Sequence, residues 1–207
     1  MKDVEERGLY FEEFDLDTRY LHRPGRTVTE ADNVLFTTLT MNTQALHLDA
    51  AWAATQPFGE RLVNSMFTLA TIVGASVTQL TQGTIVANLG FADVAFPHPL
   101  FHGDTLYSET VVTAKRLSSS RPGQGIVTMV HTGRNQHGEV VATATRSALV
   151  WCRDAHAAAS GGAGSGDAGS GGAGSGGAES GGAGSGGAES GGAGSGGAES
   201  GDAGSGG

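Results

Sequence analysis

The sequence predicts a single α+β domain in which an antiparallel sheet wraps one long helix, and three observations predict it. Residues 63 to 80 are apolar over most of a helical circumference: Val63, Met66, Phe67, Ala70, Val73, Gly74 and Val77 recur at helical spacing, with Leu69 and Ile72 off that stripe. A helix of that kind needs to be surrounded. Four strand-like runs follow it, over 84–94, 104–115, 126–132 and 140–151. The turns between them are short, which favours antiparallel neighbours and a sheet folded around the helix.

In chain order, residues 1–28 read as irregular. Within them Gly8-Leu9-Tyr10-Phe11-Glu12-Glu13-Phe14 supplies aromatics that can cover a core edge. Thr29 opens a helix as its N-cap, with Glu30 and Asp32 in the first turn, where the helix dipole favours negative charge. Val34, Leu35, Thr38 and Leu39 follow at helical spacing. Asp49 caps a second, short helix through Ala50-Ala51-Trp52-Ala53-Ala54. In the second strand run Leu106 and Val112 share one face, and Tyr107 and Val111 the other. In the last run Val141, Leu149 and Trp151 share a face. Asn135-Gln136-His137-Gly138-Glu139 reads as a hairpin turn in which Gly138 is free to take positive φ.

Composition divides the 207 residues in two. Residues 1–154 have the composition of a folded domain. From 155 to 207 almost every residue is Gly, Ala, Ser, Asp or Glu, and a ten-residue unit, Ser-Gly-Gly-Ala-Gly-Ser-Gly-Gly-Ala-Glu, starts at Ser170, Ser180 and Ser190. No large apolar side chain there offsets the entropy of ordering, so the expectation is a disordered, low-complexity tail. The net charge is −9, but Asp167, Glu179, Glu189, Glu199 and Asp202 belong to the tail. Lys2, Lys115 and the arginines are scattered, which argues against nucleic-acid binding. The one cysteine, Cys152, reads as a small apolar residue at a strand end. The start, Met1 to Glu6, lacks an apolar signal core, and no run reaches membrane-span length, so a cytoplasmic protein with no membrane partner is expected.

Chemistry concentrates between the first two helices, in Leu39-Thr40-Met41-Asn42-Thr43-Gln44-Ala45-Leu46-His47-Leu48-Asp49. His47 lies just before an N-cap aspartate, in what reads as a structured loop, and Asn42 lies five residues upstream. A loop that doubles back brings the two together, and an imidazole beside a carboxamide can hold and deprotonate a water. His98 and His102 flank a Pro-rich loop without a third ligand nearby, so they read as solvated residues and no metal is expected.

Three segments form a pattern: Thr29-Glu30-Ala31-Asp32 with Asn42-Thr43-Gln44-Ala45-Leu46-His47-Leu48-Asp49; Phe58-Gly59 leading to Val63-Asn64-Ser65-Met66; and Phe96-Pro97-His98-Pro99-Leu100-Phe101-His102-Gly103-Asp104-Thr105-Leu106. Together they resemble the MaoC-like dehydratase family, the R-specific enoyl-CoA hydratases. The resemblance runs from about residue 10 to residue 153 and implies the hot-dog fold, a sheet around a long helix. It also implies a hydro-lyase acting on an acyl-CoA, with no cofactor beyond the coenzyme A thioester of the substrate. A homodimer or higher homo-oligomer, with the active site near the interface, is implied as well.

The sequence departs from the family pattern where the chemistry lies. Asn42 stands where the family carries a catalytic aspartate, Ala45 replaces a proline, and Asn64-Ser65 replaces His-Gly. An amide orients a water but takes no proton from it, so His47 becomes the base. Asn42 and the Val-Asn-Ser segment resemble the Asn-bearing, mesaconyl-CoA hydratase-like subgroup, which implies a branched or dicarboxylic C4–C5 acyl group. On this reading the Ser65 backbone N–H, at the N-terminus of the central helix, receives the thioester oxygen as it becomes enolate-like. Asn64 and Asn88 are candidate acyl contacts, and Arg121, in a polar inter-strand loop, is a candidate for a CoA phosphate. Two alternatives remain. A thioesterase would place a carboxylate on the central helix, yet residues 64–79 hold no Asp or Glu. A catalytically degenerate acyl-CoA binder would bind without adding water.

Overall fold

The computed structural model describes Met1 and residues 6–161. A 3-10 turn at Phe11–Glu13 leads to β1 (Arg19–Thr27), α1 (Glu30–Leu39), α2 (Ala45–Leu48), α3 (Ala50–Ala53) and α4 (Ser65–Leu80). Then come β2 (Ile85–Ala95), β3 (Thr105–Leu117), β4 (Gln124–Arg134), β5 (Val140–Trp151) and α5 (Arg153–Gly161). The strands form one antiparallel five-stranded sheet in the order β1-β3-β4-β5-β2, packed on α4. This is the hot-dog arrangement the sequence predicts. Among the described residues, no helix is long and apolar enough to cross a membrane.

The caps behave as the sequence chemistry dictates. Thr29 and Asp32 close a reciprocal box: the Asp32 N–H donates to Thr29 Oγ1 at 3.2 Å, and the Thr29 N–H to Asp32 Oδ2 at 3.0 Å. The Trp52 N–H donates to Asp49 Oδ1 at 2.9 Å. The hairpin at Asn135 forms with Gly138 at φ 83°. Phe14 is fully buried, and Leu9 and Phe11 pack beside it, so the N-terminal aromatics do close the core.

Three expectations are corrected. Residues 1–28 are not irregular, because 19–27 form β1. Pro24 and Gly25 mask that strand in the sequence, and the register shifts between His22 and Arg26. An edge strand accepts such residues because one side of it has no ladder to complete. The helical spacing in α1 does not mark its buried face: Leu35 and Leu39 are exposed, while Asn33 and Thr37 are fully buried. In α4 the buried positions are Phe67, Thr68, Ile72, Ser76 and Leu80, and Met66, Ala70 and Gly74 face outward. A helix apolar all round carries little information about its own rotation. Its buried hydroxyls are satisfied within the helix, Ser76 Oγ donating to the Val73 carbonyl at 2.6 Å.

The sheet approaches α4 closely because its facing side is small in places. Ala142, Ala144 and Ala148 of β5 are buried. A Cβ on Gly133 of β4 would stand 2.6 Å from the Ile72 side chain. The chain runs past residue 154 into α5, where Tyr10 Oη and His156 Nδ1 lie 3.1 Å apart and Trp151 stacks at a tilt on the same imidazole. The repeat tail beyond residue 161 lies outside the described residues.

A polar chain crosses the space between α4 and the sheet. Gln79 Oε1 accepts from His22 Nδ1 at 2.9 Å, leaving His22 Nε2 to accept from the Thr110 hydroxyl at 2.8 Å. Thr110 in turn accepts from His131 Nδ1 at 2.8 Å. His131 is fully buried, and burial, with the charges of Arg146 and His22, pulls its pKa down to about 3. Burial lowers His22 as well, against the Gln79 bond. Both rings are therefore neutral in the folded chain at a pH where an unfolded chain, with histidine near 6.5, binds protons. Stability is present above about pH 6.5 and is lost as pH falls. The slope reaches at most about 1.4 kcal/mol per pH unit for each ring. Thermal melts from pH 7 to pH 5 should show a falling Tm, and His131→Gln should flatten that fall. A Tm constant or rising over this range contradicts the assignment.

Candidate active site

The site grows from the two turns that follow α1. That helix ends at the Thr40 cap, and Met41 takes φ 58°, a left-handed conformation that turns the chain sharply. The Asn42 N–H donates to the Thr37 carbonyl at 3.0 Å, and Asn42 Oδ1 accepts the Gln44 N–H at 3.2 Å. Those bonds launch α2, a single turn that carries His47. The sequence expectation of a structured loop becomes one helical turn.

His47 is only 8% exposed. Its Nδ1 lies 2.9 Å from the Leu62 carbonyl oxygen. A carbonyl only accepts, so Nδ1 carries the proton and Nε2 keeps its lone pair. Among the described residues Nε2 has no hydrogen-bond partner, and it is not sealed from the surface. The ring is thus preset as a base, with the nitrogen that would take a proton left free.

Leu62 lies three residues before Ser65, the first residue of α4. Asn64 is the N-cap: its Oδ1 accepts the Met66 N–H at 2.9 Å, and its Nδ2 reaches Thr37 Oγ1 at 3.4 Å. With 3% exposure, the Asn64 amide is occupied as a cap and as a tie to α1. Among the described residues no acceptor faces the Ser65 N–H. A free amide at the positive end of a 16-residue helix suits a developing oxyanion.

The α4 N-terminus opens on a cavity of about 230 Å³ whose lining includes Phe58, Ser65, Thr68, Phe96, Leu100 and Val141. Leu62, whose carbonyl accepts from the His47 ring, lines it too, whereas His47 and Asn42 themselves are not among its lining residues. Its lining contains no Asp, Glu, Lys or Arg.

Asn33 and His102 were not legible as site residues. Asn33 is fully buried, and its Oδ1 accepts the Asn64 N–H at 2.8 Å. Its Nδ2 lies 3.3 Å from the His47 carbonyl, 3.3 Å from the Leu62 carbonyl and 2.9 Å from His102 Nε2. Asn33 is one of several polar residues in α1, beside Glu30, Asp32, Thr37 and Thr38, so nothing in the sequence singled it out. His102 is half-buried, while His98 is exposed and donates instead to the Val140 carbonyl at 3.0 Å. Burial and the Arg61 charge push the His102 pKa down.

The other two candidates stand elsewhere in this chain. Asn88 is on the edge strand β2, exposed, with its Oδ1 accepting from Arg146 Nε at 3.0 Å. Arg121 is exposed in the β3–β4 turn, beside the C-terminal end of β5, where Gln124 pairs with Trp151. The cavity lies at the other end of β5, at Val141, roughly 30 Å away at ~3.3 Å per strand residue. Asn42 carries no bond to His47, and its oxygen is committed to Gln44.

Comparison with known proteins fits this geometry. The MaoC-like domain model matches residues 13–135. The chain belongs to the MaoC-like domain family. It is 31% identical to the mesaconyl-CoA hydratase of Haloarcula marismortui over 166 residues, 80% of this chain and 46% of that one. It is 32% identical to the beta-methylmalyl-CoA dehydratase of Chloroflexus aurantiacus over 153 residues, 73% of this chain and 43% of that one. The solved MaoC-like dehydratase from Rhodospirillum rubrum superposes with a TM-score of 0.63 at 30% identity, covering 70% of this chain and 99% of that one. This MaoC-like chain spans about half the length of the curated relatives it matches.

Proposed function

We propose that the chain is a hydro-lyase that adds water across the double bond of a 2-enoyl-CoA and removes it in reverse. One observation carries this reading: an imidazole with a free Nε2 is bonded to the carbonyl of Leu62, three residues before a helix whose leading amide is unpaired. The thioester carbonyl accepts from the Ser65 N–H. His47 Nε2 removes a proton from a water, the oxygen adds to the β-carbon, and the electron pair moves toward the thioester oxygen. The same imidazolium, now carrying the proton, returns one to the α-carbon. The Ser65 bond strengthens as charge builds, so it favours the transition state over the substrate. The free Asn42 NH₂ orients the water, while Asn64 shapes the site as the cap of α4. No resident cofactor enters these steps.

The acyl group on this reading is a C4–C5 branched or dicarboxylic unit such as mesaconyl, supported by the names of the relatives. His47→Ala should lower kcat/KM for mesaconyl-CoA or crotonyl-CoA by about 10²- to 10⁴-fold, the usual worth of a positioned base. Mass spectrometry of the hydrated product, beside an unchanged Tm, reads this out. Full activity in His47→Ala, or free CoA as the product of the parent protein, contradicts it.

The working form on this reading is a homodimer. β2 is an edge strand with Leu89, Phe91 and Val94 exposed. Beside it the uncovered face of α4 presents Met66, Ala70, Val73 and Gly74, making an apolar groove with Phe91. An open edge next to apolar surface calls for a partner, and a second copy supplies the same edge. Sedimentation should give a dimer for the parent protein and a monomer for Phe91→Asp. A monomeric parent protein contradicts the assignment.

A further inference from the structure

We propose that Asn33 and His102 are positioning residues: the buried Asn33 carboxamide, oriented against the His102 ring, holds His47 and the start of α4 in one frame. The proposal rests on His47 as the base and extends it to two residues that need not touch substrate.

The orientation of the amide follows from its partners. The Asn64 N–H can only donate, so Oδ1 must face it. The NH₂ end then faces three acceptors: the His47 carbonyl, the Leu62 carbonyl and His102 Nε2. Two hydrogens serve them. The bond to His102, at 2.9 Å, takes one, and the carbonyls, each at 3.3 Å, share the other. The Leu62 carbonyl is also the acceptor for the His47 ring. One side chain therefore fixes the backbone of the base, the group its ring is bonded to and the residue preceding Ser65. A displacement of about 1 Å between reacting groups can cost about 10²-fold in rate.

His102 must offer a lone pair at Nε2, so its proton sits on Nδ1. Protonation would turn Nε2 into a donor facing the Asn33 NH₂. Four charged or titratable groups bear on the ring: Arg61 and His47 oppose its cation, and Glu30 and Glu60 favour it. Arg61 pairs with Glu30 at 2.7 Å, which offsets part of each influence. Burial opposes the cation most strongly of all, so the His102 pKa is lowered from the ordinary histidine value.

The test compares His102→Gln, whose side-chain oxygen can still accept from Asn33, with His102→Leu, which cannot, and adds Asn33→Ser, all in the full-length chain. Long-range proton–nitrogen NMR reads the His47 tautomer, and steady-state kinetics give kcat and KM. His102→Leu should lose roughly tenfold in kcat at constant KM, the scale of one hydrogen bond. It should also replace the single Nδ1–H tautomer of His47 by a mixture. His102→Gln should recover most of both. Asn33→Ser should lose about 10²-fold in kcat. If Asn33→Ser does not fold, the half-buried His102 pair decides alone. Equal kcat and an unchanged His47 tautomer in His102→Leu overturn the proposal. The tautomer is read without turnover, so it decides the positioning role even in a chain without hydratase activity. An active chain whose tautomer ignores residue 102 sinks the positioning role alone.

Discussion

Asn33 places one carboxamide, fully buried, against the His47 carbonyl, the Leu62 carbonyl, the Asn64 N–H and the His102 ring. Leaving buried polar groups unpaired costs about 1–3 kcal/mol each, so a site with that many partners for one side chain has few alternative arrangements. The rest of the local structure is arranged around this constraint. α1 turns its polar face inward, so that Asn33 and Thr37 reach the α4 N-terminus while Leu35 and Leu39 remain in solvent. The first part of the chain between α1 and α4 forms two single helical turns, α2 and α3.

The central helix links this hub to the fold. Its first turn meets Asn64 and the cavity, its middle lies over Gly133, and its last turn reaches Gln79 and the His22–Thr110–His131 chain. The sheet covers one side only. The other side, with Met66, Ala70 and Gly74, stays apolar and open beside Phe91. That apolar surface and the Ser65 amide both belong to α4, so a change in the packing of α4 reaches the amide directly.

Much of the fold was legible because its signals are local. Thr29, Asp32, Asp49 and Gly138 act within a few residues of themselves, and all four do what their chemistry predicts. Of the four strands after α4, β3, β4 and β5 alternate in burial, with β5 matching residue for residue, whereas β2 does not alternate. β1 was hidden because Pro24 and Gly25 are breakers in every context except an edge. The faces of α1 and α4 were hidden for a different reason. Helical periodicity reports where apolar residues lie, whereas α1 buries an asparagine whose partners lie far along the chain, and α4 buries hydroxyls satisfied within its own turns. At the candidate site, His47 was legible as a candidate from its motif, and the structure places it on α2. Asn33 and His102, separated by 69 residues, were not, since no spacing rule joins a helix interior to a loop before β3. Arg121 and Asn88 were chosen for chemistry alone, and the sheet carries them away from the cavity.

The central claim is that Ser65 and His47 address the two ends of one reacting unit. The most direct measurement is a crystal structure of the chain with a bound 3-hydroxyacyl-CoA product. The account predicts the thioester oxygen at about 3 Å from the Ser65 nitrogen and the hydroxyl within about 2.6–3.2 Å of His47 Nε2. An acyl group seated away from the α4 N-terminus, or a hydroxyl facing no imidazole, would contradict it.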